Sequence, residues 1–414
     1  MGHSKVVGAI EIGTSKIAIL IGEISVNSTL NIIGQYSVQS KGVKKGVIVD
    51  LRAAGQVVHH AIIQAENDAG TKIEEVYLAQ TGQHLAGVFN VGTANVGASN
   101  GVISQVDVEM AKEDARRPQL PEGRSFINHI QNPFSVDGVK VENPIHREGK
   151  RLQVGYWTIH GDNQVLQDSL RLVNGVPLEV EDMIVSSIAS GNVLLQESEK
   201  KAGALVIDIG GGTTDFALYR DGFVVFTGVI PVGGDHISND LSIGLRTNVS
   251  TADGLKLREG LALKAKANTK ETVWLVGNQS IGDREIPLMA IHRIVESRVK
   301  EIFELIREEL ESAELFDLST METGVLLTGG TSRMEGIDRL AEKVFSADCR
   351  IGRHTWEISS DLNLPEYSTV LGLLSFALAV NEEKQEKNTS NVLGNLFRNF
   401  FPSLPKEMKA SPES

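Results

Sequence analysis

A buried-strand pattern that ends in three consecutive glycines constrains the fold of this chain more than any other feature. The stretch 205–215 reads LVIDIGGGTTD, in which β-branched apolar residues indicate a strand and Asp208 stands at its end. Because glycine lacks a Cβ atom, the loop Gly210–Gly212 can turn tightly and present its N–H groups to an anion, with Thr213 and Thr214 beside it. We therefore predict a phosphate-binding loop with Asp208 near a hydrated magnesium ion. A hairpin whose glycines serve only turn geometry is the alternative.

The same order of residue types occurs near the N-terminus. Between two apolar strands, Glu11–Lys16 reads EIGTSK: an acid, an isoleucine, a glycine and then hydroxyls. Repetition of this kind, about 195 residues apart, predicts two like domains that face each other across a nucleotide. The second copy is expected to hold two more loop residues, both glycines. The candidates in the first copy are Gly13, Thr14, Ser15 and Lys16 for phosphate and Glu11 for the magnesium shell. For Lys16, a solvated lysine on a hairpin is the alternative.

Composition and missing motifs exclude several classes of protein. The net charge of −13 excludes general nucleic-acid binding, which needs a basic face to displace counterions. No GxxxxGK[ST] occurs, and the loop that begins at Gly210 lacks the last glycine of GxGxxG, so neither familiar nucleotide motif is present. The single cysteine, Cys349, excludes an intramolecular disulfide and fits a reducing cytosol. With 414 residues, we expect a soluble cytoplasmic chain of two or more domains.

A third strand–glycine turn–helix unit begins at Val325. Residues 325–332 read VLLTGGTS, and glycines at the end of a buried strand let a flat group approach the backbone closely. Gly329, Gly330 and Ser332 are therefore candidates for contacting a purine or a ribose. Further candidate nucleotide contacts are Gly234, Lys256 and Glu259. The last two are three residues apart on a predicted helix, where a solvated ion pair is the alternative.

Two other regions have a different character. Between residues 84 and 159, glycines, prolines and short alternating runs surround one predicted helix, without a catalytic constellation. We interpret this region as a small inserted α+β subdomain that is suited to contacting partners. Farther along, Ile291–Leu310 is predicted to be a long helix with one apolar face and one charged face.

The C-terminal end combines a polar segment with a short amphipathic one. Residues 381–390 are predicted to be a charged linker, and residues 391–401 a helix that is stopped by Pro402. At 100° per residue, the apolar side chains of this helix span about half of its circumference. We predict a tethered membrane anchor, and a helix packed on the core is the alternative. The predicted membrane-facing residues are Leu393, Leu396, Phe397, Phe400 and Phe401.

With three glycine turns in this order and a tethered terminal helix, the chain resembles the FtsA family of bacterial cell-division proteins, part of the actin/Hsp70/sugar-kinase superfamily. Glu11–Lys16 and Asp208–Asp215 resemble the two phosphate loops of that family, and 327–331 resembles its adenosine-contacting turn. Segments 181–191 and 367–372 resemble the connections about which the lobes hinge. The resemblance implies an α/β, actin-like (ribonuclease H-like), two-lobed duplicated fold with an inserted small α+β subdomain.

The resemblance also implies a function. ATP and Mg²⁺ between the lobes would favour head-to-tail polymers, and the terminal helix would hold them on the inner face of the cell membrane at the division site. The C-terminal tail of the tubulin-like protein FtsZ would bind the charged helix face at Arg298, Glu301 and Glu304, and other division proteins are further expected partners. Glu11 departs from the family, because many relatives have Asp there. We identify no residue in the sequence that would position a hydrolytic water, so we expect slow or absent ATPase activity.

Two alternatives share the phosphate loops. A small-molecule kinase would need a base aspartate in an acceptor pocket, which the insert does not offer. A pilus-assembly-type cytoplasmic adaptor is the second alternative. The predicted terminal helix favours the division role over this adaptor. The predicted divisions are 1–83 with 160–195 for the first lobe, 84–159 for the insert, 196–380 for the second lobe with a smaller subdomain at roughly 235–315, 381–390 for the linker and 391–401 for the terminal helix.

Overall fold

The first lobe is organised around a mixed five-stranded sheet. The computed structural model describes residues 4–97, 100–116, 118–175, 178–263, 271–276, 282–318, 320–354, 356, 358–389 and 400–402. The first elements are β1 (Lys5–Ile12), β2 (Lys16–Ile24), β3 (Leu30–Gln39), β4 (Val43–Lys44), β5 (Val47–Ile48), α1 (Leu51–Ala69) and β6 (Glu75–Gln80). Helix α1 begins where Asp50 accepts a hydrogen bond from the N–H of Ala53, and it ends at Gly70, whose φ is 66°.

The insert follows β6 and has its own sheet and core. Its elements are β7 (Ala86–Asn95), α2 (Gln105–Ala115), β8 (Arg124–Val136), β9 (Val139–Val141) and β10 (Arg151–Asp162). Strand β10 lies between β7 and β8, and β9 pairs with the end of β8. Helix α2 covers one face, where Val108 and Ala111 contribute to a small separate core.

The chain then returns to the first lobe and passes into the second. The returning elements are α3 (Asn163–Asn174), β11 (Glu179–Val185) and α4 (Ser186–Leu194). The second lobe has α5 (Glu197–Ala202), β12 (Ala204–Ile209), β13 (Thr214–Arg220), β14 (Phe223–Ile230), α6 (Gly234–Gly244), α7 (Val249–Glu259), β15 (Thr272–Leu275), β16 (Arg284–Pro287), α8 (Leu288–Ser312), β17 (Gly324–Thr328), α9 (Ile337–Phe345) and β18 (Cys349–Ile351). The last elements are α10 (Ser368–Thr389) and β19 (Phe400–Pro402).

The two lobes repeat one topology. The first sheet has the order β3-β2-β1-β6-β11, and the second has the order β14-β13-β12-β17-β18. In each, the first three strands form an antiparallel meander and the other two join it in parallel. Since every strand has a counterpart in the same position, the predicted duplicated, two-lobed α/β fold with an insert is confirmed.

The two glycine hairpins are also equal in length, which corrects the expectation of a longer second loop. Ile12 pairs with Ile17 in the first hairpin, and Ile209 pairs with Thr214 in the second. The loops 13–16 and 210–213 therefore have four residues each. In both, the N–H of the first residue donates to the carbonyl of the last, at 2.9 Å. The extra glycines replace hydroxyl residues at matching positions instead of lengthening the loop.

Two helices, α4 and α10, join the lobes and pack directly against each other. A Cβ atom at Gly372 of α10 would lie 1.8 Å from the carbonyl oxygen of Ala189 in α4. Such a distance is possible only for glycine, so the backbones touch at this point. The segments that the sequence identified as hinges are therefore in mutual contact beneath the cleft.

The C-terminal end differs from its prediction in two ways. Residues 381–389, predicted to be a linker, continue α10. Phe400 and Phe401, predicted to end an amphipathic helix, belong instead to the short strand β19, which pairs with β8. Phe401 precedes Pro402, and the proline ring disfavours helical geometry in the residue before it. Residues 391–399 lie outside the described residues. Over the described part of the chain, none of the helices is both long and apolar enough to span a bilayer.

Candidate functional site

The two four-residue loops meet between the lobes. A Cβ atom at Gly211 would lie 1.7 Å from Ser15 Oγ, and one at Gly212 would lie 2.4 Å from Thr14 Oγ1. Glycine is therefore required at both positions for the loops to approach this closely. Ser15 Oγ also donates to Asp235 Oδ1 at 3.3 Å, at the start of α6. The two predicted half-sites thus face each other across one cleft.

The loops leave several backbone N–H groups without a partner in the protein. Gly13 and Gly210 donate across their own turns. Within the part of the chain that the structure describes, the N–H groups of Thr14, Ser15 and Gly211 donate to no other protein group. Successive N–H groups of this kind form a concave surface that suits an anion.

Asp208 lies at the base of the cleft, where both hinge helices hold it. Its Oδ2 accepts hydrogen bonds from Ser190 Oγ of α4 at 2.6 Å and from Thr369 Oγ1 of α10 at 3.0 Å. Burial raises the pKa of Asp208 to about 6, and the neighbouring Glu11 carboxylate acts in the same direction. The sequence contained no signal for Ser190 and Thr369, because hydroxyl residues in helices are common. Their contacts fix the carboxylate with respect to both connections between the lobes.

Asp215, which was not among the predicted site residues, is the most perturbed acid of the cleft. Its Oδ2 accepts a hydrogen bond of 2.7 Å from Thr81 Oγ1, which belongs to the first lobe. Its Oδ1 is buried without a hydrogen-bond partner among the described residues. Burial raises the pKa of Asp215 to about 8, with repulsion from Asp208 and Glu11 adding to the effect and the Thr81 bond opposing it. The position of Asp215 shortly after the glycines of the second loop could have identified it as a site residue from the sequence.

Lys16 contacts the hinge instead of the second loop. Its ammonium lies 3.4 Å from Glu11 Oε2, donates to the backbone carbonyl of Glu366, and stands 4.7 Å from the ring centroid of Tyr367. Glu366 in turn pairs with Arg333 of the third turn at 2.7 Å. The predicted phosphate-directed charge is therefore placed beside the first loop but directed towards the returning chain.

The third glycine turn packs on the second loop. Gly329 has φ 81°, and a Cβ atom there would lie 2.4 Å from Asp208 Oδ1. Ser332 is buried and donates to the carbonyl of Gly329 at 2.7 Å, which holds the turn. At Gly330 an added Cβ atom would be in ordinary van der Waals contact with Cβ of Glu366, at 3.9 Å. The third turn therefore lies beside Asp208 and the second loop, and its contact with a purine or ribose stays a prediction.

Helix α6 begins against the second loop. The N–H of Gly234 donates to Gly210 O at 2.9 Å, and that of Asp235 donates to Gly211 O at 2.8 Å. The helix start therefore orients the loop through its carbonyl groups. Lys256 holds this helix from the other side. Its Nζ donates to the carbonyl of Gly234 at 3.1 Å and to Ser238 Oγ at 2.8 Å.

The predicted ion pair between Lys256 and Glu259 is not the one that the structure shows. The partner of Lys256 is Asp253, at 2.7 Å, which precedes it by three residues, and not Glu259, which follows it. The Lys256 side chain is only 12% exposed, whereas that of Asp253 is 46% exposed. The predicted solvated pair is thus replaced by a pair whose lysine is buried against the start of α6.

The acids of the cleft fit a hydrated cation. Asp208, Asp215 and Glu11 influence one another electrostatically. Lys16 lies 3.4 Å from Glu11, and its charge also acts to lower the pKa of Asp208. No cluster of three or more His, Cys, Asp or Glu ligands occurs among the described residues. Magnesium needs none, because it is commonly held by one or two carboxylates, water and phosphate oxygens. The donor set therefore suits magnesium that arrives with a nucleotide.

The predicted partner-binding residues lie away from this cleft, on α8. Arg298 forms a two-point ion pair with Asp240 of α6, at 2.5 and 3.1 Å, and a third contact with Glu301 at 2.5 Å. Glu304 pairs with Lys300 at 3.0 Å. Arg298 is therefore occupied within the lobe and is only 23% exposed, whereas Glu301 is 51% exposed and Glu304 is 35% exposed. Of the three predicted residues, the two acids are the more accessible.

The predicted membrane-facing residues Leu393, Leu396 and Phe397 lie outside the described residues. Phe400 and Phe401 are described, as the strand β19.

Comparisons with known proteins agree with this architecture. The family described as "Cell division protein FtsA" matches residues 205–372, and the domain described as "SHS2 domain inserted in FTSA" matches residues 82–160. The "Cell division protein FtsA" of Pseudomonas aeruginosa is 31% identical to this chain over 407 residues, which covers 97% of this chain and 95% of that protein.

Solved structures extend the likeness of the fold. A "PilM-PilN type IV pilus biogenesis complex" matches with a TM-score of 0.60 and 16% identity, over 90% of this chain and 98% of that chain. MreB 5 of Spiroplasma citri bound to AMPPNP matches with a TM-score of 0.52 and 17% identity, over 95% and 100%. At these identities the likeness shows the actin-like fold alone.

We expect Asp215→Asn to stabilise the magnesium-free protein in a pH-dependent way. Asp215 has a folded pKa of about 8 and an unfolded pKa of about 4, so between these values the folded state binds more protons. The free energy of unfolding of the wild type therefore falls as pH rises, by up to about 1.4 kcal/mol per pH unit from this group. Urea unfolding in EDTA at about pH 5 and about pH 8 measures the difference between variant and wild type, which should grow with pH.

Asp221→Asn is the matched control. Asp221 is 68% exposed and pairs with Lys140 on the surface. Its difference from the wild type should be the same at both pH values. Parallel curves for Asp215→Asn and wild type would show that Asp215 is not held protonated in the folded state.

Proposed function

Because the chain belongs to the FtsA family of cell-division proteins, we propose that it binds ATP with Mg²⁺ between its lobes, polymerises, and attaches the FtsZ ring to the inner face of the cell membrane through a C-terminal amphipathic helix. The observation that carries the nucleotide site is the meeting of two equal glycine loops from opposite lobes, Ser15 against Gly211 and Thr14 against Gly212.

ATP would enter by parting the two loops. They are in van der Waals contact, so a phosphate chain between them must move one lobe away from the other. The contact of α4 with α10 at Ala189 and Gly372 lies beneath the cleft and supplies a hinge for this motion. The unpaired N–H groups of both loops would then donate to the phosphates, and the third glycine turn at Gly330 would receive the purine or ribose.

Asp208 and Glu11 would hold the magnesium through water. The ion would neutralise the phosphate charge that otherwise faces these acids. Asp208 is suited to this role because Ser190 and Thr369 fix its orientation. Hydrolysis is expected to be slow or absent, because the sequence identified no residue that would position the attacking water.

The membrane and polymer functions rest on the sequence and the family. The apolar residues of 391–401 cover half a helix, which suits an interfacial helix. The FtsZ tail would bind α8, where Glu301 and Glu304 are more exposed than Arg298, which is tied to Asp240. The pilus-type adaptor is less well supported, because its structural likeness at 16% identity concerns the fold alone.

We expect Asp208→Asn to remove the magnesium-dependent part of ATP stabilisation. A ligand at 100 times its Kd stabilises a protein by about 2.7 kcal/mol, and the wild type should show a gain of this order with ATP and magnesium. The variant keeps the shape of the side chain but loses its charge. Thermal unfolding with ATP, in the presence of magnesium or EDTA, measures this gain. Asp221→Asn should retain it, and an equal magnesium effect in Asp208→Asn would rule out the proposed ion site.

We expect Phe397→Glu to release the protein from lipid vesicles. A carboxylate in the apolar face of an interfacial helix opposes its insertion, so flotation with vesicles of phosphatidylglycerol and phosphatidylethanolamine should fall at least about tenfold. Phe89→Glu is the control, since Phe89 is an exposed phenylalanine of the insert that is far from the terminal segment in sequence. Continued flotation of Phe397→Glu would mean that the segment is not the anchor.

We expect Glu301→Lys with Glu304→Lys to change the affinity for a synthetic FtsZ tail peptide. Reversing the two accessible charges of α8 alters the potential of this face, and a change of about 1 kcal/mol corresponds to a roughly fivefold change in Kd. Fluorescence anisotropy of a labelled peptide measures it. Glu342→Lys, on α9 of the same lobe, is the control, and unchanged affinity in the double variant would place the peptide elsewhere.

A further inference from the structure

The outer edge of β8 in the insert has an open stretch that accepts another strand. Strand β10 covers the inner edge of β8 along its length, whereas β9 covers the outer edge only at 134–136. Pro133 interrupts the edge next to β9, and proline is confined to such edges because it lacks an N–H group. Residues 128–130 therefore have an outer edge that β9 leaves uncovered, with backbone groups of the kind that bind an extended peptide.

The chain's own C-terminal segment is the strand that lies there. Phe400 pairs with Ile130, Phe401 with His129 and Pro402 with Asn128, in antiparallel register. Local sequence favours the extended form, since a residue that precedes proline avoids helical geometry.

This edge lies where the insert meets both lobes. Asn128 donates through Nδ2 to the carbonyl of Met183 and accepts through Oδ1 from the N–H of Val185, both in β11. Asn132 donates to the carbonyl of Val224 in β14. The cavity between these elements is largely apolar. Its lining includes Ile130, Ile184, Ile188, Tyr219 and Phe376. A strand beside Ile130 therefore crosses the edge of the junction between the insert and the lobes.

The segment can reach this edge within one molecule. Ile130 and Phe376 line the same cavity, and from Phe376 the helix α10 runs on to Thr389, about 20 Å away at the rise of a helix. The eleven residue steps from Thr389 to Phe400 can span up to about 36 Å, which exceeds the return distance. Docking therefore needs no second copy of the chain.

We propose that the edge of β8 at 128–130 is a docking site for residues 400–402 of the same chain, and that this docked strand and the membrane-bound helix are alternative states of the C-terminal segment. The exclusion between the docked strand and the membrane-bound helix rests on the proposed membrane function. Phe400 and Phe401 cannot be helical and paired with β8 at once, because the two backbone geometries exclude each other. Docking therefore lowers the apparent affinity for a membrane by the fraction of molecules that are docked.

Cysteine pairs across the two strands test the docking without a membrane. In a Cys349→Ser background, the on-register pairs are Ile130→Cys with Phe400→Cys and His129→Cys with Phe401→Cys. The off-register pairs, 129 with 400 and 130 with 401, use the same four substitutions but place neighbouring side chains on opposite faces of the sheet. The better on-register pair should oxidise about tenfold faster than either off-register pair, as an intramolecular product at low protein concentration.

Vesicles then test the competition between the two states. Adding phosphatidylglycerol and phosphatidylethanolamine vesicles before oxidation should lower on-register crosslinking, and Phe397→Glu should restore it. Equal rates for all four pairs, or products that join two chains only, would overturn the docking. If Ile130→Cys alone fails to fold, the pair at 129 and 401 still decides the question against 129 and 400.

The two proposals fail in different ways. If the segment does not anchor the protein, the on-register preference without vesicles remains and the vesicles leave it unchanged. If the segment does not dock, the release of Phe397→Glu from vesicles remains and the four cysteine pairs oxidise alike. An on-register preference that vesicles do not lower, in a protein that floats through this segment, would overturn the exclusion between the states.

Discussion

The structure depends on the contact of two glycine loops across the space between the lobes. Ser15 lies so close to Gly211, and Thr14 so close to Gly212, that any side chain on the second loop would push the lobes apart. The loops can meet because both hairpins have the same length and the same closing hydrogen bond. Duplication of one topology thus supplies two anion-binding surfaces that face each other, which a single lobe could not provide.

Three acids at this contact give the cleft its chemistry. Asp208 and Asp215 are buried near each other and near Glu11, and each carboxyl is held by hydroxyl groups that come from another part of the fold. Burial and mutual repulsion raise the pKa values of both aspartates. A bound cation relieves this repulsion, so the ion and the closure of the lobes are coupled through the same side chains. Thr81 adds a link between the cleft and the insert, which begins directly after it.

The sequence predicted the elements of the site better than their contacts. The glycine turns at Gly13, Gly210 and Gly329 were identified from strand patterns and glycine runs, which are local properties. The prediction that Lys256 pairs with Glu259 was wrong. Residues three positions before and after Lys256 both satisfy the spacing of an ion pair, and the packing of Lys256 against α6 selected Asp253. The strand at Phe400 and Phe401 was missed, because helical periodicity does not register the effect of Pro402 on Phe401 or the edge of β8 that pairs with them.

By itself, the sequence determined the two hairpins, the acids that follow their strands, the insert between repeated halves and the resemblance to a family. These features follow from the residue types within a short stretch of chain, because such residues set the conformation of the backbone next to them. Only the tertiary structure decided which groups meet: Lys16 with the chain at Glu366, Asp215 with Thr81, and Phe400 with Ile130. Such pairings join residues that are far apart in the chain. They depend on which side chains the packing of helices and strands brings together, and a local sequence pattern does not contain that information.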